Sequence, residues 1–294
     1  MTDIPWMDAA IDGVSITKVR DLKALSIDIP GVEALLFVQG AHLAQWTPRG
    51  QKPVIFTSEA TRLETGIPIR GGIPVIVPWF GPADKGLHGW ARNLQWSLES
   101  VGQTDEGAVT VEFSLDNVDR GLYAESLSQK IFFTLGKELR IALTVKNTGS
   151  SPIDVEMALH AYWNVDARDL TVRGLDSGGI DRTDDDSSVP PGPLEPLTGQ
   201  TIDRFYPFAG SITLRDWGNN RDIVISSPES VQAVAWNPGK AGAAASSDML
   251  DDDWQKFICI EATRVRDYAV TLSASEEASL TLCAQVHPTP RAGS

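Results

Sequence analysis

A chain of 294 residues with 42% hydrophobic residues, 22% charged residues and nine Trp can bury a large core and stay soluble. Its formal net charge of −14 excludes the basic face with which a nucleic-acid binder displaces counterions. The same charge means that an anionic ligand would have to be captured by local arginines.

The opening segment MTDIPWMDAAIDG has neither a basic start nor an apolar run, so no signal peptide is expected. No window approaches the roughly 18–20 apolar residues of a membrane span. Period-2 alternation then dominates. Val109, Val111, Phe113 and Leu115 share one face of a predicted strand, with Thr110, Glu112 and Ser114 on the other. Leu139–Val145 and Ile153–Leu159 repeat the pattern, as do Ala278, Leu280, Leu282, Ala284 and Val286. Such alternation marks half-buried antiparallel strands. The runs from Ile223 (IVIS) and Lys256 (KFICIEA) read as strands buried on both faces. Turn chemistry separates these runs, and no helical pattern persists beyond two turns. The chain is therefore expected to be all-β, a sandwich or barrel. We expect one domain over residues 1–294, with an arm over 1–12 and a tail over 288–294. Segments 187–199, which is Pro-rich, and 239–253 read as long surface loops, of the kind that border binding sites.

Cys259 and Cys283 lie in apolar runs without metal-ligand spacing. They read as buried free thiols, which suits a reducing cytosol. The acidic runs Asp184–Asp186 and Asp251–Asp253 read as solvated loop charge, because they lack the Gly and terminal Glu of a calcium loop.

Residues 66–96, GIPIRGGIPVIVPWFGPADKGLHGWARNLQW, hold most of the chemistry. Prolines and glycines rule out a regular helix or a central strand and fix an irregular path. Arg70, His88 and Arg92 are interleaved there with Trp79, Phe80, Trp90 and Trp96. Aromatic faces beside hydrogen-bonding groups suit a pyranose, and Arg forks can hold a phosphate. Alternatively, the arginines hold loop carbonyls. His160, in ALHAYWNV, falls by parity on the face opposite Val155, Met157 and Leu159; alone it would read as a satisfied sheet histidine. Glu261, inside ICIEA, must be paired, protonated or functional, because an unpaired buried charge is costly. Asp203, in TIDRFY, could simply pair with Arg204 or another arginine.

In order and in local context these segments resemble the hexose-6-phosphate mutarotases (glucose-6-phosphate 1-epimerases) of the aldose 1-epimerase superfamily. The resemblance runs from about Gly31 to Val286. It includes GAHLAQW, PIRGGIPVIVPWFGP, HGWARNLQW, ALHAYWNV, TIDRFY, AWNPGKA and ICIEA, and the R-G-G-I-P and H-G-aromatic-A-R pair is its most specific part. It implies a large antiparallel β-sandwich, the galactose mutarotase-like supersandwich, with a sugar in an open groove on one sheet. It implies anomer exchange, with Glu261 as base at the C1 hydroxyl and His160 as acid at the ring oxygen, on opposite sides of the O–C–O unit. Arg70, His88, Arg92 and Asp203 would bind substrate, with the arginines placed to hold the 6-phosphate. No metal or organic cofactor is implied, the ligand is a small sugar phosphate, and a cytoplasmic monomer without nucleic-acid or membrane partners is expected.

The sequence departs from the family pattern in HGW for the usual HGF and YWN for YFN, which keep an aromatic. Leu87 stands where relatives carry Gln, and Arg264 and Arg266 add charge after ICIEA, for anion recognition or to pair with the acidic loop. Two rivals remain. A mutarotase for unphosphorylated aldoses would tie Arg70 and Arg92 to protein carboxylates. A non-catalytic carbohydrate-binding module would hold His160 and Glu261 too far apart to flank one hemiacetal.

Overall fold

The computed structural model describes residues 11–84, 86–116, 126–208 and 210–289. Most of the expected arm and tail therefore lies outside the described residues.

The alternating segments become strands, and every strand pairing is antiparallel. An eight-stranded back sheet runs in the order Leu170–Arg173, Ser211–Asp216, Arg221–Ser226, Glu277–Pro288, Leu139–Asn147, Leu127–Leu135, Val109–Asp116, Ser97–Gln103. A front sheet runs Ser187–Val189, Gly179–Asp181, Ile202–Pro207, Gln232–Asn237, Phe257–Arg264, Met157–Leu159, Val75–Ile76. Strand Tyr162–Asn164 also pairs with Phe257–Arg264. A four-stranded sheet precedes both: Val14–Val19, Leu22–Ile29, Val32–Phe37 and His42–Pro48. One continuous apolar core takes Phe113, Phe133, Ile141, Leu143, Leu280 and Leu282 from the back sheet and Ala233, Ala235, Ile258 and Ile260 from the front sheet. A β-sandwich follows directly, because each sheet buries one side-chain parity against the other.

Several local expectations need correction. Ile153–Leu159 is not one strand. It breaks at Glu156 into Ile153–Val155, which pairs with Val270–Leu272, and Met157–Leu159, which joins the front sheet. The Glu156 carboxylate explains the break, since it accepts the Phe80 N–H at 2.7 Å and the Arg266 N–H at 2.6 Å. Beyond the break Ala158 is buried, so alternation lapses there. In IVIS, Ile223 and Ile225 are buried but Val224 and Ser226 only half-buried, so this strand does alternate. KFICIEA is buried on both faces from Phe257 onward. Cys259 is buried, whereas Cys283 is only half-buried. Cys283 shares the parity of Ser279 and Thr281, away from the leucines of its strand, and lies 3.6 Å from Arg140 Nη1.

The loops are more ordered than their composition suggests. Residues 187–199 open with strand Ser187–Val189 and then bury Leu194 and Leu197. Residues 239–253 contain a short helix, Gly239–Ala245. Asp253 is not solvated charge. It is buried, and its carboxylate accepts from Ser58 Oγ at 2.6 Å, the Leu250 N–H at 2.9 Å and Lys256 Nζ at 3.1 Å. These bonds tie the helical loop to the segment that carries Arg70. Among the described residues no helix is long and apolar enough to cross a membrane.

The Pro/Gly segment keeps its irregular path, and two of its glycines are required. Gly72 has φ +69°, and a Cβ there would lie 2.0 Å from Nε2 of buried His42. Gly89 has φ +62°, and its Cβ would lie 2.1 Å from the Val77 carbonyl oxygen. Gly89→Ala combines left-handed strain with a backbone clash and is expected to destabilise by about 2–3 kcal/mol. Urea denaturation checks this; an unchanged midpoint would contradict it.

Candidate functional site

Register brings the site residues together. Across the front sheet Asp203 pairs with Trp236, Trp236 with Cys259, and Cys259 with Tyr162. The neighbouring row pairs Phe205 with Val234 and Val234 with Glu261. Directly opposed residues project to the same face, so both rows line the surface turned away from the core. His160 has the parity of Tyr162 and extends the second row beside Glu261. The alternate residues Ile202, Ala233, Ala235, Ile258, Ile260 and Ala262 face the core and fix this assignment.

A cleft of about 620 Å³ opens on this face, a volume usual for a small-molecule site. Arg70, His88, Arg92, His160, Asp203 and Glu261, the six residues singled out in the sequence, all line it. Tyr162, Trp236, Asp248 and Arg182 also line it and were not singled out. Tyr162 and Trp236 share parity or motif with flagged residues and could have been found. Asp248 and Arg182 sit in loops without a periodic signal.

At the floor, His160 Nε2 lies 3.4 Å from Glu261 Oε1, with both side chains almost wholly buried. The two groups stand side by side, rather than facing each other across a gap wide enough for an O–C–O unit. The His160 ring stacks on Tyr162 at 5.0 Å and 14°, and meets His88 edge-on at 5.5 Å. Burial lifts the Glu261 carboxyl well above its ordinary range, and the Asp203 charge adds to this. Burial likewise drives the His160 imidazole well below its ordinary value, reinforced by His88, Arg92 and Arg70. Burial thus favours the uncharged form of both groups in the substrate-free site. His160 Nδ1 and Glu261 Oε2 are buried without a protein partner.

Two of the three arginines that line the cleft, Arg70 and Arg92, lie on the His160 side. Arg70 donates from Nε to Asp248 at 3.2 Å and from Nη1 to the Tyr162 hydroxyl at 3.1 Å. Burial opposes its charge, but Tyr162 and Asp248 more than offset this and raise its pKa. Arg92 donates from Nη2 to the Leu87 carbonyl at 2.8 Å and has no carboxylate partner among the described residues. Burial, with Arg70 contributing, pushes it down to about 10, so it stays charged at neutral pH. His88 Nδ1 accepts the Gly81 N–H at 3.1 Å, which leaves Nε2 as the protonated nitrogen available to donate. Burial, Arg92 and Arg70 hold His88 at about 3, so it is neutral.

On the Glu261 side stands Asp203, raised chiefly by burial. The pairing considered for it with Arg204 does not form; Arg204 turns to Asp181 at 2.7 Å. Opposite parity puts Arg204 on the other side of its strand. Arg266 pairs with Asp186 of the acidic loop at 2.8 Å. Among the described residues no three His, Cys, Asp or Glu side chains are grouped to hold a metal ion.

Comparison with known proteins agrees with this architecture. Residues 23–283 match the family model described as aldose 1-epimerase. A Salmonella typhimurium protein provisionally named glucose-6-phosphate 1-epimerase is 34% identical over 266 residues, 88% of each chain. A crystal structure from Salmonella typhimurium, provisionally described as a mutarotase, superposes with a TM-score of 0.88 at 29% identity, covering 97% of both chains. A galactose mutarotase-like protein from Clostridium acetobutylicum has the same fold, with a TM-score of 0.74 at 14% identity, covering 94% of this chain and 98% of that one. The match to the family model spans nearly the whole sandwich and includes all six flagged cleft residues, so the chain belongs to the aldose 1-epimerase family.

Proposed function

We propose that the chain interconverts the α and β anomers of a hexose 6-phosphate by opening and reclosing the sugar ring. The observation that carries this reading is the His160–Glu261 contact of 3.4 Å on the cleft floor, with Arg70 and Arg92 on its His160 side. In a hexopyranose the phosphate sits on C6, which is attached to C5, the ring carbon next to the ring oxygen. A sugar with its ring oxygen at His160 and its C1 hydroxyl at Glu261 therefore extends its phosphate towards Arg92 and His88.

Opening takes a proton from the C1 hydroxyl and gives one to the ring oxygen as the C1–O bond breaks. Glu261 as base and His160 as acid need the pair's proton on the imidazole. Burial in the substrate-free cleft favours that same single proton on Glu261. A phosphate dianion beside His160 favours imidazolium, and a hydroxyl donated to Glu261 favours carboxylate. Substrate binding thus moves the proton from Glu261 to His160 across the 3.4 Å that separates Oε1 from Nε2. Ring opening returns the proton count to its resting arrangement: Glu261 is protonated, His160 is neutral, and the open aldehyde can turn before closure on its other face. The short contact also counts against the non-catalytic reading, which needs the two groups apart.

Arg92 is the anchor for the phosphate, because it is charged and lacks a carboxylate partner. Arg70 is partly neutralised by Asp248, which is the feature favouring a mutarotase for unphosphorylated aldoses. Arg92→Gln discriminates. It should raise KM for glucose 6-phosphate about tenfold or more while leaving KM for glucose within about twofold. Equal effects on both sugars, read by exchange NMR at varied concentration, would remove the phosphate from the proposal.

A further inference from the structure

Arg182 lines the cleft, yet neither the proton transfers nor the phosphate contact uses it. It opens the 3-10 turn Arg182–Asp184, directly after strand Gly179–Asp181, whose neighbour is the Asp203 strand. Its guanidinium carbon lies 5.6 Å from the centre of the Phe205 ring, and Phe205 shares a face with Asp203. Stacking of this kind fixes the plane of a guanidinium and leaves its edge free to donate. Its contact with the acidic loop is loose, with Nε 3.5 Å from Asp186, and its charge also favours the Asp203 carboxylate. Asp186 has a closer partner in Arg266, at 2.8 Å, and Arg266 also lies over Phe205, at 5.2 Å. Arg266 does not line the cleft. It satisfies the acidic loop, and among the described residues the outer nitrogens of Arg182 have no hydrogen-bonded protein acceptor.

Strand order fixes where those nitrogens stand. Across the front sheet the sequence of functional groups is His160, Glu261, Asp203, Arg182. On the reading above, which this inference rests on, the ring oxygen is at His160 and the C1 hydroxyl at Glu261. The sugar edge that continues in the same direction carries the C2 and C3 hydroxyls. We propose that Arg182 is a specificity-determining contact that donates to this hydroxyl edge, with Asp203 accepting from it. A donor-only group and an acceptor side by side read the orientation of a vicinal hydroxyl pair, which a lone carboxylate cannot do. Such a contact distinguishes sugars at the end remote from the phosphate.

The test measures α/β exchange for wild type, Arg182→Gln, Arg182→Lys and Arg266→Gln. Substrates are glucose 6-phosphate and its 2-deoxy and 3-deoxy analogues. Arg182→Gln should raise KM for glucose 6-phosphate about tenfold with little change in kcat. That difference should vanish on one of the two deoxy analogues, where the hydroxyl partner is missing from both enzymes. Arg182→Lys should recover part of the affinity, and Arg266→Gln should leave KM unchanged. The assignment is overturned if the KM difference persists undiminished on both analogues, if Arg182→Gln behaves as wild type, or if Arg266→Gln reproduces its effect. Wild-type enzyme that exchanges no sugar phosphate would instead overturn the underlying reading of the site.

Discussion

Glu261→Gln is expected to lower kcat for anomer exchange by about 10³-fold, within the range for removal of a general base. The substitution keeps shape and volume, so the cleft should survive it. The amide cannot accept the C1 hydroxyl proton, and it cannot pass a proton to His160 Nε2 across the 3.4 Å contact. The same variant carries an opposite prediction for stability. The native Glu261 carboxyl titrates well above its ordinary value of 4.5, because burial disfavours the anion. A raised native pKa means that stability fully present below 4.5 is lost as pH rises towards the native pKa. Gln does not titrate, so the stability of Glu261→Gln relative to wild type should grow as pH rises from 4.5 towards the native pKa and stay constant below 4.5. Loss of activity together with a thermal midpoint that gains on wild type as pH rises is the signature of a buried group kept for chemistry. Loss of activity without that gain would mean that Glu261 serves packing.

Arg221→Ala has the largest expected effect on the scaffold, about 3–5 kcal/mol of destabilisation. Arg221 and Asp216 face each other at the end of a back-sheet hairpin, with exposures of 2% and 0%. The guanidinium donates from Nε to Asp216 at 3.2 Å, from Nη1 to the Lys52 carbonyl at 2.9 Å and from Nη2 to the Pro53 carbonyl at 3.0 Å. A further Nη2 bond reaches the Asn164 carbonyl, on the strand that begins with Tyr162. One side chain thus ties the back sheet to the strand beneath the cleft. Alanine removes the cation paired with the buried Asp216 carboxylate, which keeps only the neutral Asp166 and Asn219 donors, and takes a donor from three carbonyls. The double variant with Asp216→Ala should lose less than the sum of the single losses, because it no longer leaves a lone buried charge. Denaturant midpoints measure both; strict additivity would contradict the coupling.

The sandwich was legible wherever one face of a strand is wet, as in Leu139–Val145 and in Val109–Leu115 as far as Phe113, beyond which Ser114 is buried too. There burial imposes a strict period of two. Legibility failed where a side chain intervenes in the ladder. Glu156 captures two backbone N–H groups from distant segments, and nothing in its own neighbourhood in the sequence announces that. Asp253 was misread for the same reason. Its composition says solvent, but its partner Ser58 is 195 residues away. In the site, Glu261 stood out as a carboxylate in an apolar run, and His160 by its parity. Asp248 could not stand out, because its role is set by Arg70, 178 residues earlier in the chain. The resemblance supplied roles that spacing alone left open. The structure adds that the two arginines differ: Arg70 is paired and Arg92 is not.

Anomer exchange on a phosphorylated hexose is tested most directly by saturation-transfer NMR on glucose 6-phosphate and glucose at equal concentrations. The proposed site predicts that catalytic amounts of protein accelerate exchange of both C1 protons of glucose 6-phosphate, saturably and well beyond glucose. Exchange of glucose 6-phosphate at the rate found in buffer alone would contradict it.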